Sequence, residues 1–164
     1  MGKRQYIQRK ILIDRIEPYI GNSLIKVLIG QRRVGKSYLL FQLIDEIKKR
    51  MPNTTIIYID KEDFQFEHIN TYSKLIRFVE SKQMDKNNTA LFIDEIQDIK
   101  DFEKALRHFQ GQAKYDIYCT GSNANLLSGE LATLLAGRYI QIKVFSLTYP
   151  EYLQFHKRDD TNES

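Results

Sequence analysis

The chain of 164 residues has one cysteine, Cys119. A lone thiol forms no internal disulfide and supplies no cysteine cluster for a metal. His68, His108 and His156 have no acidic or cysteine partners at metal-ligand spacing either. No apolar run approaches the roughly 18 residues of a membrane span. The N-terminus is charged and mixed, so it lacks the apolar core of a signal peptide. Met1-Gly2 invites a myristoylation reading, but position 6 is Tyr rather than Ser or Thr. Strong charge of one sign is lacking as well. The net charge is +4, with Lys and Arg spread along the chain, which permits contact with nucleic acid without arguing for it. There is no internal repeat and no low-complexity segment. What remains is globular composition, 42% hydrophobic and 28% charged, long enough for one domain with a sizeable core. A single free thiol fits a reducing cytoplasm, and no membrane is expected.

Against these absences stands Gly30-Gln31-Arg32-Arg33-Val34-Gly35-Lys36-Ser37, which matches G-x-x-x-x-G-K-[ST], a loop that wraps the phosphates of a nucleotide. Leu24 to Ile29 ahead of it is short, apolar and β-branched, as a buried strand would be, and Ser37 to Met51 behind it has helical spacing. Gly30 and Gly35 are expected to permit backbone angles that a Cβ forbids and to let main-chain N–H groups approach phosphate oxygens. The anion then sits on a helix N-terminus, where the dipole and unpaired donors stabilise it. Lys36 adds a positive charge against the β- and γ-phosphates, and the Ser37 hydroxyl is a Mg²⁺ ligand. Gly30, Arg32, Arg33, Val34, Gly35, Lys36, Ser37 and Tyr38 are therefore the expected nucleotide-binding residues. The bland alternative is an ordinary glycine turn.

The second half of the expected site is Leu91-Phe92-Ile93-Asp94-Glu95. Ala90 to Ile93 reads as a buried strand with two carboxylates at its C-terminal end, where an open parallel sheet binds ligands. Asp94 is expected in the Mg²⁺ shell. Glu95 is placed to orient and deprotonate a water for attack on the γ-phosphate. The alternative is that both acids cap the following helix.

The remaining chain is read in order. Ile7 to Ile20 has helical spacing interrupted at Pro18. Tyr6 or Ile7 either contacts adenine or belongs to a helix covering the sheet. After the loop, a helix buries Leu39, Leu40, Leu43, Ile44, Ile47 and Met51 and leaves Gln42, Asp45, Lys48 and Lys49 outward. Thr54 to Asp60 is a strand, and Asp60, Glu62 and Asp63 lie either near the metal or a partner or in a solvated loop. Thr71 to Lys82 is a helix, Lys86-Asn87-Asn88 a turn, Ile99 to Gln112 a helix with His108 on its surface, and Tyr115 to Thr120 a strand with Cys119 buried. Ser122 and Asn123 either sense the γ-phosphate and attacking water or, with Asn125, cap the helix around Leu126-Leu127 and Leu131 to Leu135. Arg138 either reaches a γ-phosphate, in its own subunit or a neighbour's, or is a surface or structural arginine. Tyr139 to Val144 is the last strand. Phe145 to Phe155, with Pro150 at a helix start, covers the sheet edge or presents a docking face.

This order resembles the bacterial and archaeal AAA-type P-loop ATPases of the group that includes the DUF4143-linked proteins. The matching pieces are the loop from Gly30 to Ser37, Leu91 to Gln97, Thr120-Gly121-Ser122, Leu126-Leu127-Ser128, Ala136-Gly137-Arg138-Tyr139 and Leu147 to Tyr152. The resemblance implies an α/β three-layer sandwich with a five-stranded parallel sheet. In that sheet the Thr-Gly-Ser strand lies between the phosphate-loop strand and the Asp-Glu strand. It also implies ATP as the nucleotide, Glu95 as catalytic base, and hydrolysis coupled to a conformational switch. Lys36, Glu95, Ser122 and Arg138 are the expected catalytic set, with Ser37 and Asp94 on Mg²⁺. Residues 1–155 form the expected ATPase domain, comprising an N-terminal helix in 1–22 and the nucleotide-binding core in 23–144, followed by a polar tail in 156–164. Such proteins usually continue into a C-terminal domain, so the chain reads as an isolated or truncated module. Thr148-Tyr149 stands where Ser-Phe is commoner. The expected partners are the nucleotide, a protein client or that C-terminal domain, and further subunits of an oligomer. A scaffold that binds nucleotide with little hydrolysis, a small-molecule kinase and a nucleic-acid-dependent ATPase are the rivals. The arginine-rich lid of a kinase is missing after Ser122.

Overall fold

A computed structural model describes residues 6–83, 88–122, 126 and 130–159. The expected turn residues Lys86 and Asn87 and the candidates Asn123, Asn125 and Leu127 lie outside the described residues. Five short stretches rich in Ile, Leu, Val and Tyr pair side by side: β1 (Ile25–Ile29), β2 (Thr55–Asp60), β3 (Thr89–Asp94), β4 (Tyr115–Gly121) and β5 (Tyr139–Lys143). All pairs are parallel, in the order β2-β3-β4-β1-β5. The Thr-Gly-Ser strand β4 thus separates the phosphate-loop strand from the Asp-Glu strand, as the resemblance implied.

Because side chains alternate across a strand, the two faces of the sheet carry different residues. Ile25, Val27, Ile29, Ile57, Ile59, Leu91, Ile93, Ile117 and Cys119 face one side. They pack against α3 (Tyr72–Lys82), α4 (Phe102–Gly111) and the short α5 (Glu130–Leu134), which bring Leu75, Val79, Leu106, Phe109 and Leu131. Leu28, Ala90, Phe92, Tyr118 and Ile142 face the other side, under α1 (Lys10–Ile16) and α2 (Lys36–Arg50). There Phe92 and Tyr118 stack with ring centroids 4.6 Å apart. Burying one such aliphatic or aromatic side chain contributes about 1.5–3 kcal/mol, so these two cores fix which face each helix covers.

At the N-terminal end of β1 lies a charge that the hydrophobic pattern hides. Lys26 is fully buried and pairs with Asp116 of β4 at 2.6 Å. The remaining acceptor capacity of Asp116 is taken by the Gly21 N–H and the Tyr118 hydroxyl, at 2.9 and 2.7 Å.

Several boundaries differ from expectation. The first helix begins at Lys10, and Pro18 sits in a 3-10 turn, Glu17–Tyr19, that ends it. Gln42, expected outward, is buried. Its amide donates to the Ile7 carbonyl and accepts from the Arg9 N–H, clamping the extended N-terminal segment onto α2. The helix around Pro150, α6 (Tyr149–Asp159), runs into the expected polar tail because His156 to Asp159 continue its turns. Residues 160–164 lie outside the described residues. No helix among the described residues is long and apolar enough to cross a membrane.

Candidate functional site

The segment from Gly30 to Ser37 leaves the C-terminal end of β1 and turns into α2. Two residues take left-handed backbone, Arg33 at φ 65° and Gly35 at φ 91°. Gly35 therefore has the angle expected of it. Gly30 is required for a different reason: a Cβ there would stand 2.3 Å from the Val144 carbonyl oxygen, so its role is close approach between the loop and the end of β5.

Lys36 sits in the first turn of α2, and its side chain is 4% exposed. A cation at the positive end of a helix dipole opposes local stability, and burial adds a desolvation cost. The ammonium is held by the loop's own carbonyls, Gly30 at 2.9 Å and Gln31 at 2.7 Å, and lies 3.7 Å from Glu95 Oε1. Placement that breaks a local rule of stability is expected at functional or strained positions.

β3 ends at Asp94, and Glu95 follows in left-handed backbone at φ 57°, at the start of the 3-10 turn Ile96–Asp98. That kink turns Glu95 out of strand alternation and toward the loop. Neither acid caps the following helix: Glu95 makes no side-chain cap bond to that turn, and α4 begins only at Phe102. The Asp94 carboxylate is 2% exposed and accepts from the hydroxyls of Tyr58, at 3.0 Å, and Thr120. The Thr120 hydroxyl also accepts the Glu95 N–H at 2.9 Å. Glu95 Oε2 accepts from the Ser122 hydroxyl at 2.7 Å and from the Gln97 amide. Burial, the largest single influence, pushes the Glu95 carboxyl up, and the bonds from Gln97 and Ser122 oppose it. With the nearby Lys36 and Arg32 charges they hold it below the usual carboxylate value.

The structure therefore brings Lys36, Glu95 and Ser122 together, with Asp94 beside them. Asp60 pairs with Asp94 in strand register, and burial together with the neighbouring carboxylates raises its pKa. Its carboxylate also accepts the Glu62 N–H, and Asp63 caps the 3-10 turn Phe64–Phe66. Tyr38 is half exposed on α2 and meets Phe41 edge-on at 6.1 Å. Tyr6 bonds Asp45 on α2. Arg138 is not brought in. It is exposed and precedes Tyr139, which pairs with Ile25 at the start of β1, so a whole strand separates it from Gly30. At about 3.3 Å per residue, that distance corrects the reading of Arg138 as acting on its own subunit's loop.

The fit to a magnesium nucleotide can be judged from the donor set. Mg²⁺ takes oxygen ligands and is usually held by one or two protein groups plus substrate phosphates. Ser37 and Asp94 are oxygen donors of that type, and among the described residues no group of three or more His, Cys, Asp or Glu forms an all-protein cage. The glycine-bearing loop and the buried Lys36 are of the type that cradles phosphate in other proteins.

Three residues escaped the sequence reading. Thr120 joins both acids, Gln97 holds Glu95, and Arg9, 5% exposed, donates to the Val34 carbonyl inside the loop. Gln97 stood beside the acidic pair and its polar amide was the available signal. Arg9 had none, since its partners are distant in sequence.

The sequence pattern of a family described as AAA domain matches residues 22–153. The chain is 36% identical over 149 residues to an uncharacterised protein of Haemophilus influenzae, covering 90% of this chain and 37% of that protein. To an uncharacterised protein of Methanocaldococcus jannaschii it is 35% identical over 146 residues, covering 89% and 32%. It thus spans about a third of the length of these curated relatives. Among solved structures, it is similar to the Aeropyrum pernix ORC1 protein in complex with DNA, with a TM-score of 0.63 and 10% identity over 96% of this chain and 50% of that one. C. elegans PCH-2 gives 0.61 and 16% over 85% and 40%. AMPPCP-bound DnaA from Aquifex aeolicus gives 0.54 and 15% over 92% and 49%. At such identities the likeness is one of fold.

Proposed function

We propose, since this chain belongs to the AAA domain family, that it is an ATP-binding module that hydrolyses ATP with Mg²⁺ and couples hydrolysis to a conformational switch. The observation that carries this reading is the approach of the Lys36 ammonium to within 3.7 Å of the Glu95 carboxylate, joining two motifs sixty residues apart in sequence at one end of one sheet.

In this reading the N–H groups of the loop receive the phosphates, and Lys36 exchanges its bonds to the Gly30 and Gln31 carbonyls for phosphate oxygens. Arg32, Arg33, Val34 and Tyr38 flank the nucleotide, and Ser37 and Asp94 hold Mg²⁺, which when bound neutralises charge on the phosphate oxygens. Tyr58 and Thr120 orient Asp94, as donors to a ligating carboxylate do. Glu95, ionised because of its neighbours, accepts the proton of the attacking water, and Ser122 sets its rotamer. Arg138 serves a neighbouring subunit's phosphate in an oligomer. The module is cytoplasmic and acts on a protein client or on a C-terminal domain of the DUF4143-linked kind. The alternative of a nucleic-acid-dependent ATPase draws no support from the mild net charge of +4.

The tether on Glu95 favours one other reading, a switch that binds ATP with little turnover. With Ser122, Gln97 and Lys36 all engaging it, the base is occupied by protein donors. The test is titration with a fluorescent ATP analogue and Mg²⁺, followed by single-turnover phosphate release. Lys36→Ala is expected to abolish binding, and Glu95→Gln to retain binding while losing turnover. Binding without release in the wild type favours the switch, and absence of binding removes both readings.

A further inference from the structure

The chain before β1 and the chain after β5 meet under the phosphate loop, and one guanidinium joins them. The Arg9 side chain is 6% exposed. Its Nη1 donates to the Val34 carbonyl at 3.0 Å and its Nη2 to those of Phe145 at 2.9 Å and Ser146 at 3.4 Å. Nε faces Glu151 Oε1 at 3.4 Å, and Glu151 Oε2 accepts the Thr148 N–H at 2.7 Å at the start of α6. The arginine is fixed from behind, because Gln42 of α2 accepts its backbone N–H at 2.9 Å.

A buried cation is costly unless paired and hydrogen-bonded. Here a single carboxylate balances the charge and three main-chain carbonyls take the other donors. A lysine ammonium cannot reproduce that planar fork. The segment after β5 already touches the first loop residue, since the Val144 N–H donates to Ile29 at 2.7 Å and the Val144 carbonyl lies against Gly30. Arg9 extends the same ground to Val34, so the loop is bracketed at both ends by residues 144–146.

We propose that Arg9 is a positioning residue that ties the phosphate loop, through Val34, to the segment entering α6, through Phe145, Ser146 and Glu151, so that loop and helix respond to nucleotide as one unit. The coupling to nucleotide rests on the reading of the loop as a phosphate site, whereas the mechanical tie does not. A change at the Val34 peptide on phosphate binding has to be accommodated at Phe145 to Glu151. By linkage, a partner whose docking on α6 is changed by nucleotide changes nucleotide affinity by the same factor.

The experiment is amide hydrogen exchange on the full chain, free and with Mg²⁺ and a slowly hydrolysed ATP analogue, comparing wild type, Arg9→Lys and Glu151→Gln, with thermal melts to establish folding. In the free protein, Arg9→Lys is expected to speed exchange in both residues 30–36 and residues 145–151 while leaving Leu39 to Ile47 unchanged. Acceleration in only one of the two segments overturns the tie, whether or not nucleotide binds. With nucleotide, wild-type exchange over 145–159 slows by at least about fivefold, the lower end of usual coupling. Glu151→Gln keeps protection at the loop but loses it over 149–159. Full protection of 149–159 in Glu151→Gln, or nucleotide binding to wild type without change there, overturns the coupling. If Arg9→Lys does not fold, Arg9→Gln replaces it in the free-protein arm with the same expectation and the same overturning result. Failure of the wild type to bind nucleotide counts against the functional reading alone.

Discussion

Gly30→Ala separates close approach from backbone freedom as the reason for the first glycine of the loop. Its φ is not in the left-handed region, so alanine's backbone preference is no obstacle. The obstacle is a Cβ 2.3 Å from the Val144 oxygen, 3.3 Å from its carbonyl carbon and 3.1 Å from Val34 Cγ2. A carbon–oxygen contact relaxes at roughly 3.3 Å, so loop and strand must part by about 1 Å. The hydrogen bond from Val144 N–H to the Ile29 carbonyl, 2.7 Å in the native chain, is then stretched past useful length. That bond contributes about 1 kcal/mol and overpacking adds about 1–3 kcal/mol. The lost flexibility of the unfolded chain offsets about 0.4–1 kcal/mol. The expected net loss is about 1–3.6 kcal/mol, below the roughly 5–15 kcal/mol by which domains are stable, so the variant folds. Urea unfolding followed by circular dichroism reads the loss. Gly111→Ala is the control: no atom stands within 4 Å of its Cβ at the end of α4, so it is neutral or gains up to about 1 kcal/mol. A Gly30→Ala chain that unfolds at or above the wild-type midpoint refutes the close-approach account.

Asp116→Asn takes the balancing negative charge from the buried Lys26 ammonium, which keeps the Asn22 carbonyl at 3.1 Å and the Tyr118 ring at 5.1 Å, and loss of one charged member of a buried pair is expected to cost about 3–5 kcal/mol. Lys26→Met is milder, about 1–3 kcal/mol, because Asp116 keeps the Gly21 and Tyr118 donors; equal melting losses for the two variants contradict the ordering. The pH dependence of stability reports Glu95. Its carboxyl is held low in the folded chain against about 4.3 unfolded, so its contribution is complete above the unfolded value and fades as pH falls through the folded one. Urea midpoints at a series of acid pH values should fall less steeply in Glu95→Gln than in wild type, and parallel curves remove the tether.

The strands were legible because apolar β-branched runs announce them locally, whereas their order in the sheet was only what the resemblance implied. The glycine loop and the acidic pair are each contiguous in sequence, and the structure brings them to one end of the sheet. Gln42 was misplaced because helical periodicity counts an amide as surface, and only the N-terminal segment laid across α2 gives it two backbone partners. Gly30 was credited with a backbone angle it does not need, and its crowding by the Val144 carbonyl was missed because that group is 114 residues away. Arg138 precedes a strand whose direction the sequence implied but whose start, beside Ile25, is known only from register. Lys26 and Arg9 were invisible for the same reason: a buried charge is recognised by its partner, and the partner is non-local.

The strand inserted between β1 and β3 is a chemical part of the site rather than a spacer. Neighbouring strands lie about 4.8 Å apart, so groups leaving β1 and β3 start about twice that distance from one another, a gap that the Lys36 side chain spans to come within 3.7 Å of Glu95 Oε1. β4 fills the space between with hydroxyls. Thr120 bonds the Asp94 carboxylate and the Glu95 N–H, and Ser122, just past the strand end, bonds the Glu95 carboxylate. Gly121 between them has to lack a side chain, since a Cβ there would fall 1.7 Å from Leu126 and 3.0 Å from Gln97 Oε1. Thr-Gly-Ser is therefore two hydroxyls serving two different carboxylates, separated by the one residue small enough to let Gln97 and Leu126 pack beside them. It follows that the Glu95 carboxylate can swing away only by giving up bonds to Ser122 and Gln97, so its position and that of the residue ending the neighbouring strand are coupled before any ligand arrives.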